Sequence, residues 1–409
     1  MTKVEKLLKS KNFDVRESKD ARFMDQKCTP DVVCIIADCV LNLRESEPQK
    51  EFIVQDIWDS QYFIKNVKAI FNKPSAKNPT TRSEYDKFIQ QPLRLLAYAG
   101  VLDIEKRGAK NYYKIGNLPV LEYISLKDRN TYCFLYQYFV KVLSDSGLLK
   151  FFENYKSKYE KGSLIQTDFE DLKKRFIKFI IGNTAINGEV EVRRIYPKLL
   201  NVYACENNLP GSINGKMSKN EFYYTDLMYN RKNWRDLPKD KTISRQEANV
   251  ESERNVLTDT AFNAYLVQKT MTKIRKMYSE SEVKDQWANG DATQVHHIFP
   301  KKKFPQLAHY LENLIKLTAT QHYTKAHPNN KTDSINPEYQ LVCLLAKSES
   351  IEKSLNRNEF YYRKESFVYC INTGLNQQLK ADLTFRQIKT ELVTIYNALI
   401  KVRIAIFVD

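Results

Sequence analysis

"QVHHIFPKKKFPQLAHYLENLIKLTATQHYTKAHP", residues 294–328, holds every histidine of a 409-residue chain: His296, His297, His309, His322 and His327. Histidine titrates near neutral pH and is the commonest metal ligand, so its confinement to one stretch points to chemistry there. "QVHHIF" is rich in β-formers and suits a short strand. "PKKKFPQLAHYLE" suits a loop or helical turn. "NLIKLT", residues 313–318, suits a second strand. "TQHYTKAHP", residues 320–328, predicts one to two turns of helix, with Thr320 as its N-cap. The stretch therefore reads strand, loop, strand, helix, with histidines on the first strand and on the helix.

These elements resemble the HNH, or ββα-metal, nuclease motif. That motif opens with Asp-His or His-His at the end of its first strand, here His296-His297. An Asn begins its second strand, here Asn313, sixteen residues after His297. A His or Asn follows on the helix, here His322, nine residues further on. The resemblance covers 35 residues, and its order and spacings are specific. It implies that His296 and His322 bind a metal, that His297 is the general base, and that Asn313 braces the loop between the strands. A base with a pKa near the working pH suits proton removal from an attacking water. A nearby cation would keep that base neutral and accepting. The metal would bind the scissile phosphate and stabilise charge on the leaving 3′ oxygen. Lys301, Lys302 and Lys303 would surround the site with positive charge, and Lys325 would meet a flanking phosphate.

His327 stays open. It lies five residues after His322 and turns away from it on a regular helix, yet it can ligate if the helix ends at Ala326. His309 has no place in the motif. His296 stands where many members of the family carry Asp. Mg²⁺ is the expected ion, with Mn²⁺ or another transition ion as the alternative that a nitrogen ligand admits. The chain has no CxxC pair, so no structural zinc is expected.

The net charge of +16 suits a polyanionic partner, nucleic acid being the commonest, and by itself suits a merely solvated basic surface equally well. Eleven glycines argue against a glycine-rich nucleotide-binding fold. Seven scattered cysteines suit reduced thiols, and Cys34 and Cys39 fall in an apolar run that reads as core. "MTKVEKLLKSKNF" lacks the apolar stretch of a secretory signal, and no run has transmembrane length. A cytoplasmic bacterial protein without a membrane partner is expected.

Upstream, "DVVCIIADCVLNL" (31–43) and "QYFIKNVKAIFN" (61–72) predict helices. A third is predicted over about 80–99, kinked or split at Pro92. "GVLDIEKRGAKNYYKIG", residues 100–116, reads as a hairpin with a basic turn, Leu102 and Ile104 alternating on one strand and Tyr113 and Ile115 on the other. Helices followed by a basic hairpin resemble a winged helix-turn-helix domain. That resemblance implies DNA contact by Arg82 and Lys87 on the helix, and by Lys106, Arg107, Lys110, Asn111 and Tyr112 on the hairpin. "YNRKNWRDLPKDK", 229–241, adds Arg231, Lys232 and Arg235 as candidate phosphate contacts. Further helices are predicted at 131–145, 166–181, 256–278, 337–355 and 382–405.

The expected fold is α+β: a mainly helical multidomain chain with a winged-helix-like domain and a small ββα-metal motif. The expected domains are 1–125 for DNA recognition, 126–255 as a mixed middle region, 256–335 for the nuclease and 336–409 as a helical region able to form a dimer interface. The chain resembles a type II restriction endonuclease of the HNH kind. That implies double-stranded DNA as substrate, a homodimer, and a cognate DNA methyltransferase as genetic partner. A methylation-dependent nuclease, a homing nuclease, and a winged-helix regulator with a structural metal site are the alternatives.

Overall fold

The structure is a computed structural model that describes residues 2–71, 82–229, 260–327, 334–359 and 361–408. The described residues are mostly helical, with three two-stranded antiparallel sheets, an α+β chain. The chain divides into two compact units, Met1–Val256 and Leu257–Asp409. The expected boundary at 255/256 lies beside this division. The expected boundaries at 125/126 and 335/336 do not separate units, because helices on either side pack together. Pro30–Leu43 lies against both Leu118–Leu126 and Asp128–Asp145, and Pro337–Asn356 closes on the turn Gln321–Ala326.

In the first unit the central helix is Pro30–Leu43. Proline at its first turn suits a position whose N–H has no helical partner. Val32, Val33, Ile35, Ile36, Cys39 and Val40 are buried, and Cys34 with them. The helix Arg82–Tyr98 runs on through Pro92, so the proline does not split it. Phe88, Ile89, Leu93 and Leu96 are fully buried on both sides of the proline, so tertiary packing holds the turn that proline weakens. β1 (Leu102–Arg107) and β2 (Lys110–Ile115) pair across a two-residue turn, where Gly108 supplies the positive φ of 61°. The apolar face of the hairpin is Leu102, Tyr113 and Ile115. Ile104, read from the sequence as part of the apolar alternation, is 42% exposed. Phe52 bridges Tyr113 from outside the hairpin.

The middle region holds four helices, Asp128–Asp145, Leu149–Glu160, Gln166–Asn183 and Glu189–Glu206, where two were expected. A second hairpin follows, β3 (Pro210–Ile213) with β4 (Lys216–Glu221).

In the second unit, β5 (Gln294–His297) pairs with β6 (Leu314–Leu317) in a register that sets His296 opposite Ile315 and His297 opposite Leu314. All of β6 is buried. Thr260–Met277, Pro337–Asn356, Lys364–Leu375 and Phe385–Val408 are the helices of this unit. Behind β6, Glu282 and Lys347 form a fully buried ion pair at 2.8 Å. The Glu282 carboxylate also accepts the Lys316 N–H at 2.9 Å, and the Lys347 ammonium donates to the Tyr362 hydroxyl at 3.0 Å. A pair this dry survives only when its remaining hydrogen bonds are met. No helix among the described residues is long and apolar enough to cross a membrane.

Candidate active site

β5 alternates its side chains, so the two adjacent histidines face opposite ways. His296 is 4% exposed and meets two other imidazoles. Its ring centre lies 5.3 Å from that of His322 and 4.8 Å from that of His327, and the last two are 5.0 Å apart. One ligand nitrogen from each can be chosen so that all lie within 4.8 Å of one another. Two of the buried nitrogens, His296 Nε2 and His322 Nδ1, have no hydrogen-bond partner among the described residues. The third imidazole is oriented from behind. His327 Nδ1 donates to the Ser334 carbonyl at 2.8 Å, which leaves Nε2 with its lone pair. Unpartnered buried nitrogens are costly; two of them facing the His327 imidazole make a donor set that fits a metal ion.

The five-residue gap between His322 and His327 is closed by the backbone. Gln321–Ala326 is a π-helical turn, and the His327 N–H donates to the His322 carbonyl at 3.0 Å. That i→i+5 bond widens the turn, so residues five apart stack instead of diverging. Thr320 stands at the N-cap position of this turn, as expected, but its side chain makes no capping hydrogen bond. Thr318 and Gln321 form a reciprocal box instead. The Gln321 N–H donates to Thr318 Oγ1 at 3.2 Å and the Thr318 N–H to Gln321 Oε1 at 3.0 Å.

His297 faces the connecting loop. Its Nε2 lies 3.0 Å from the Ala308 carbonyl. A carbonyl only accepts, so Nε2 carries the proton and Nδ1 is the accepting nitrogen. Burial pushes the His297 pKa below the ordinary histidine value, and the Lys301 charge adds to this, while the bond to Ala308 opposes it. Burial lowers His296 much further, helped by His327, His322 and His297. Burial and then His327 lower His322. Neutral imidazoles are the forms that ligate and accept protons.

Asn313 is fully buried and ties the loop. Its Nδ2 donates to the Phe299 and Leu307 carbonyls, both at 3.1 Å, and its Oδ1 accepts the Phe299 N–H at 2.8 Å. Leu307 precedes Ala308, so the bond that fixes Leu307 also places the carbonyl that holds His297. Gln340 reaches across from the helix Pro337–Asn356 to donate to the Ile298 carbonyl at 2.7 Å. The three clustered histidines and His297 open onto a cleft of about 580 Å³, with Lys301 and Lys302 on its wall.

No family model, curated protein or solved structure matches the chain.

The structure thus brings together His296, His297, His322 and His327, with Asn313 beneath them. It does not bring Lys303 or Lys325 to the cleft. Lys302, one of the three lysines read as surrounding the site, lines the wall, and Lys303 does not. Lys325 lies over the Trp287 ring at 4.0 Å in a separate cleft, carried there by the wide turn. His309 is half-buried beside Tyr310, 4.9 Å between ring centres, outside the cluster. In the first unit Arg82, Lys87, Lys106 and Lys110 are exposed, and Asn111 and Tyr112 are half-buried. Arg107 pairs with Glu51 at 2.8 Å and with Glu105, and lies over the Tyr112 ring at 4.7 Å. Its charge is already met, so it is a weaker phosphate ligand than its place in the turn implied. Arg231, Lys232 and Arg235 lie outside the described residues. Trp287 and Gln340 went unread, because neither belongs to a periodic pattern; a lone Trp in the polar loop "SESEVKDQWANGDATQ" was the available signal for the first.

Proposed function

We propose that this chain is a metal-dependent DNA endonuclease of the restriction type, with its cutting centre at His296, His297, His322 and His327. The observation that carries this reading is the meeting of three metal-type nitrogens beside an imidazole whose accepting Nδ1 is set by the Ala308 carbonyl. The strand–loop–strand–turn order and the HNH-like spacing support a nuclease. The basic charge and the helix–hairpin pattern support duplex DNA as its substrate.

His296, His322 and His327 would hold the ion. Three imidazoles without a carboxylate suit Zn²⁺, Ni²⁺ or Co²⁺ by ligand type, whereas Mg²⁺ and Mn²⁺ prefer oxygen ligands; the test therefore compares these ions with the expected Mg²⁺. When bound, such an ion supplies charge stabilisation at the scissile phosphate and the leaving 3′ oxygen. His297 Nδ1 takes the proton of the attacking water. The Ala308 carbonyl keeps the ring in the right tautomer and steadies it once it is charged. Asn313 holds that carbonyl in place. Lys301 and Lys302 attract the phosphate. One such centre serves one strand, so a double-strand break requires two, which a homodimer on a palindromic site provides. A cognate methyltransferase would protect host DNA.

The test is cleavage of long duplex DNA, unmodified and methylated, in EDTA or with Mg²⁺, Mn²⁺, Co²⁺, Ni²⁺ or Zn²⁺. Discrete fragments that require an ion, sharing a short symmetric sequence at their ends, are expected. His297→Ala should lower cleavage by about 10²–10⁴-fold and leave metal binding intact. Cleavage confined to methylated DNA would make this a modification-dependent enzyme, and a long asymmetric site would make it a homing nuclease. Specific binding without cleavage by any ion would replace the nuclease with a DNA-binding regulator.

A further inference from the structure

The second unit holds another cleft, of about 620 Å³, lined in part by Thr324 and Lys325 of the turn that bears His322. This is ample for one nucleotide. Its floor is Trp287, 36% exposed. The Trp287 backbone N–H donates to Asp285 Oδ1 at 3.0 Å, and its backbone carbonyl accepts from Thr318 Oγ1 at 3.1 Å. The Asp285 carboxylate is itself held by Gln321 Nε2 at 2.8 Å and by the Tyr339 hydroxyl at 3.0 Å. Gln321 is fully buried and belongs to the box that starts the histidine-bearing turn. One hydrogen-bond network therefore ties the histidine-bearing turn to the backbone of Trp287.

Four chemistries converge on this cleft: the π-face of Trp287, the Lys325 ammonium 4.0 Å from that ring, the exposed Glu338 carboxylate, and the Gln286 amide. Together they match one nucleotide. An indole face stacks on any base. A lysine already lying over that face is placed for the attached phosphate. A carboxylate accepts from the exocyclic amine of a base edge, and an amide completes that edge. A purely phosphate-binding site would not place Glu338 at its rim, and a plain apolar pocket would not need Lys325 over the ring. We propose that this cleft is a nucleobase subsite, which takes one unstacked base of the DNA strand held at the histidine cluster. Lys325 then leaves the ring for the phosphate and the base takes its place. This inference rests on the nuclease reading and gives it a contact beyond the scissile phosphate.

The probe is a short single-stranded deoxyadenosine oligonucleotide carrying one 2-aminopurine, titrated into the full chain in EDTA so that nothing is cut. The wild type should quench the 2-aminopurine on binding. Trp287→Ala should weaken binding by about 5- to 100-fold and lose the quench, whereas Trp287→Phe should keep most of the affinity. Lys325→Gln should keep the quench and flatten the salt dependence of binding. Circular dichroism of each variant separates misfolding from lost contact, and Trp287→Leu, which fills space without a π-face and should also lose affinity and quench, carries the test if Trp287→Ala does not fold. A folded Trp287→Ala that binds and quenches like the wild type overturns the subsite, as does a wild type that does not bind the oligonucleotide. Cleavage by the wild type separates the two readings. If it cuts duplex DNA with none of the divalent ions while the Trp287 effects hold, the nuclease assignment falls and the base site stands.

Discussion

His327 shows how much can turn on a single backbone hydrogen bond. Its side chain type pointed to the site, but its spacing pointed away. Spacing arguments assume a regular helix, and the N–H of His327 bonding to His322 breaks that assumption. His296, His297, Asn313 and His322 were legible because each combines a rare chemistry with a fixed interval. Lys303 and Lys325 were misplaced, because charge alone does not say which way a loop residue points. Two consequences follow at this scale. The lowered pKa values of His296, His297 and His322 mean that the folded state resists protonation below the ordinary histidine value of 6.5. The unfolded chain then binds more protons, so stability present above about pH 6.5 falls as the pH drops through and below that value. Thermal melting in EDTA should show the decline, and His296→Gln should flatten it; a melting temperature that rises on acidification would contradict the sign. Asn313→Ala would strand the Phe299 and Leu307 carbonyls, at a cost of about 1–3 kcal/mol for each group left unpartnered. Denaturant unfolding measures that cost, and slower cleavage should accompany it.

Among elements, the helix Lys364–Leu375 looks remote from the chemistry and is not. A Cβ added at Gly374 would sit 2.3 Å from the Phe299 ring. Phe299 is buried, and both its N–H and its carbonyl are held by Asn313. Gly374→Ala must therefore move either the helix or the end of the ββ loop. A cost of about 1–3 kcal/mol is expected from overpacking, with cleavage falling more than metal binding, because His297 is two residues from Phe299. Unchanged unfolding and unchanged cleavage would show that the ring has room to move. The hairpin β1–β2 carries a different lesson. Alternation of Tyr113 and Ile115 marked its buried face, but Ile104 is exposed because its strand meets solvent on both faces there. Pro92 was read as a break because local sequence counts a missing hydrogen bond and cannot count the buried side chains that outweigh it.

For the whole molecule, the division into Met1–Val256 and Leu257–Asp409 places the four histidines, Asn313, Gly374, Trp287 and the Glu282–Lys347 pair in one unit. That unit contains every brace described for the site. Residues 257–409 expressed alone should fold and take up Co²⁺ with the visible absorption of nitrogen coordination. A fragment that folds without binding Co²⁺ would mean that the cluster depends on the first unit. The coarse fold class was readable because long amphipathic helices announce themselves. The expected boundaries at 125 and 335 followed the ends of two recognised patterns, the basic hairpin and the histidine stretch, and helices pack together across both.

The gathering of all five imidazoles into one unit has a practical side. Protein grown with ¹⁵N-labelled histidine would carry its label nowhere else, and its magnetic resonance spectrum would be a spectrum of the cleft and its rim. Tautomer, protonation and ion uptake could each be followed there by name in a chain of this size. The sequence has installed its own spectroscopic reporters where the chemistry is proposed to occur.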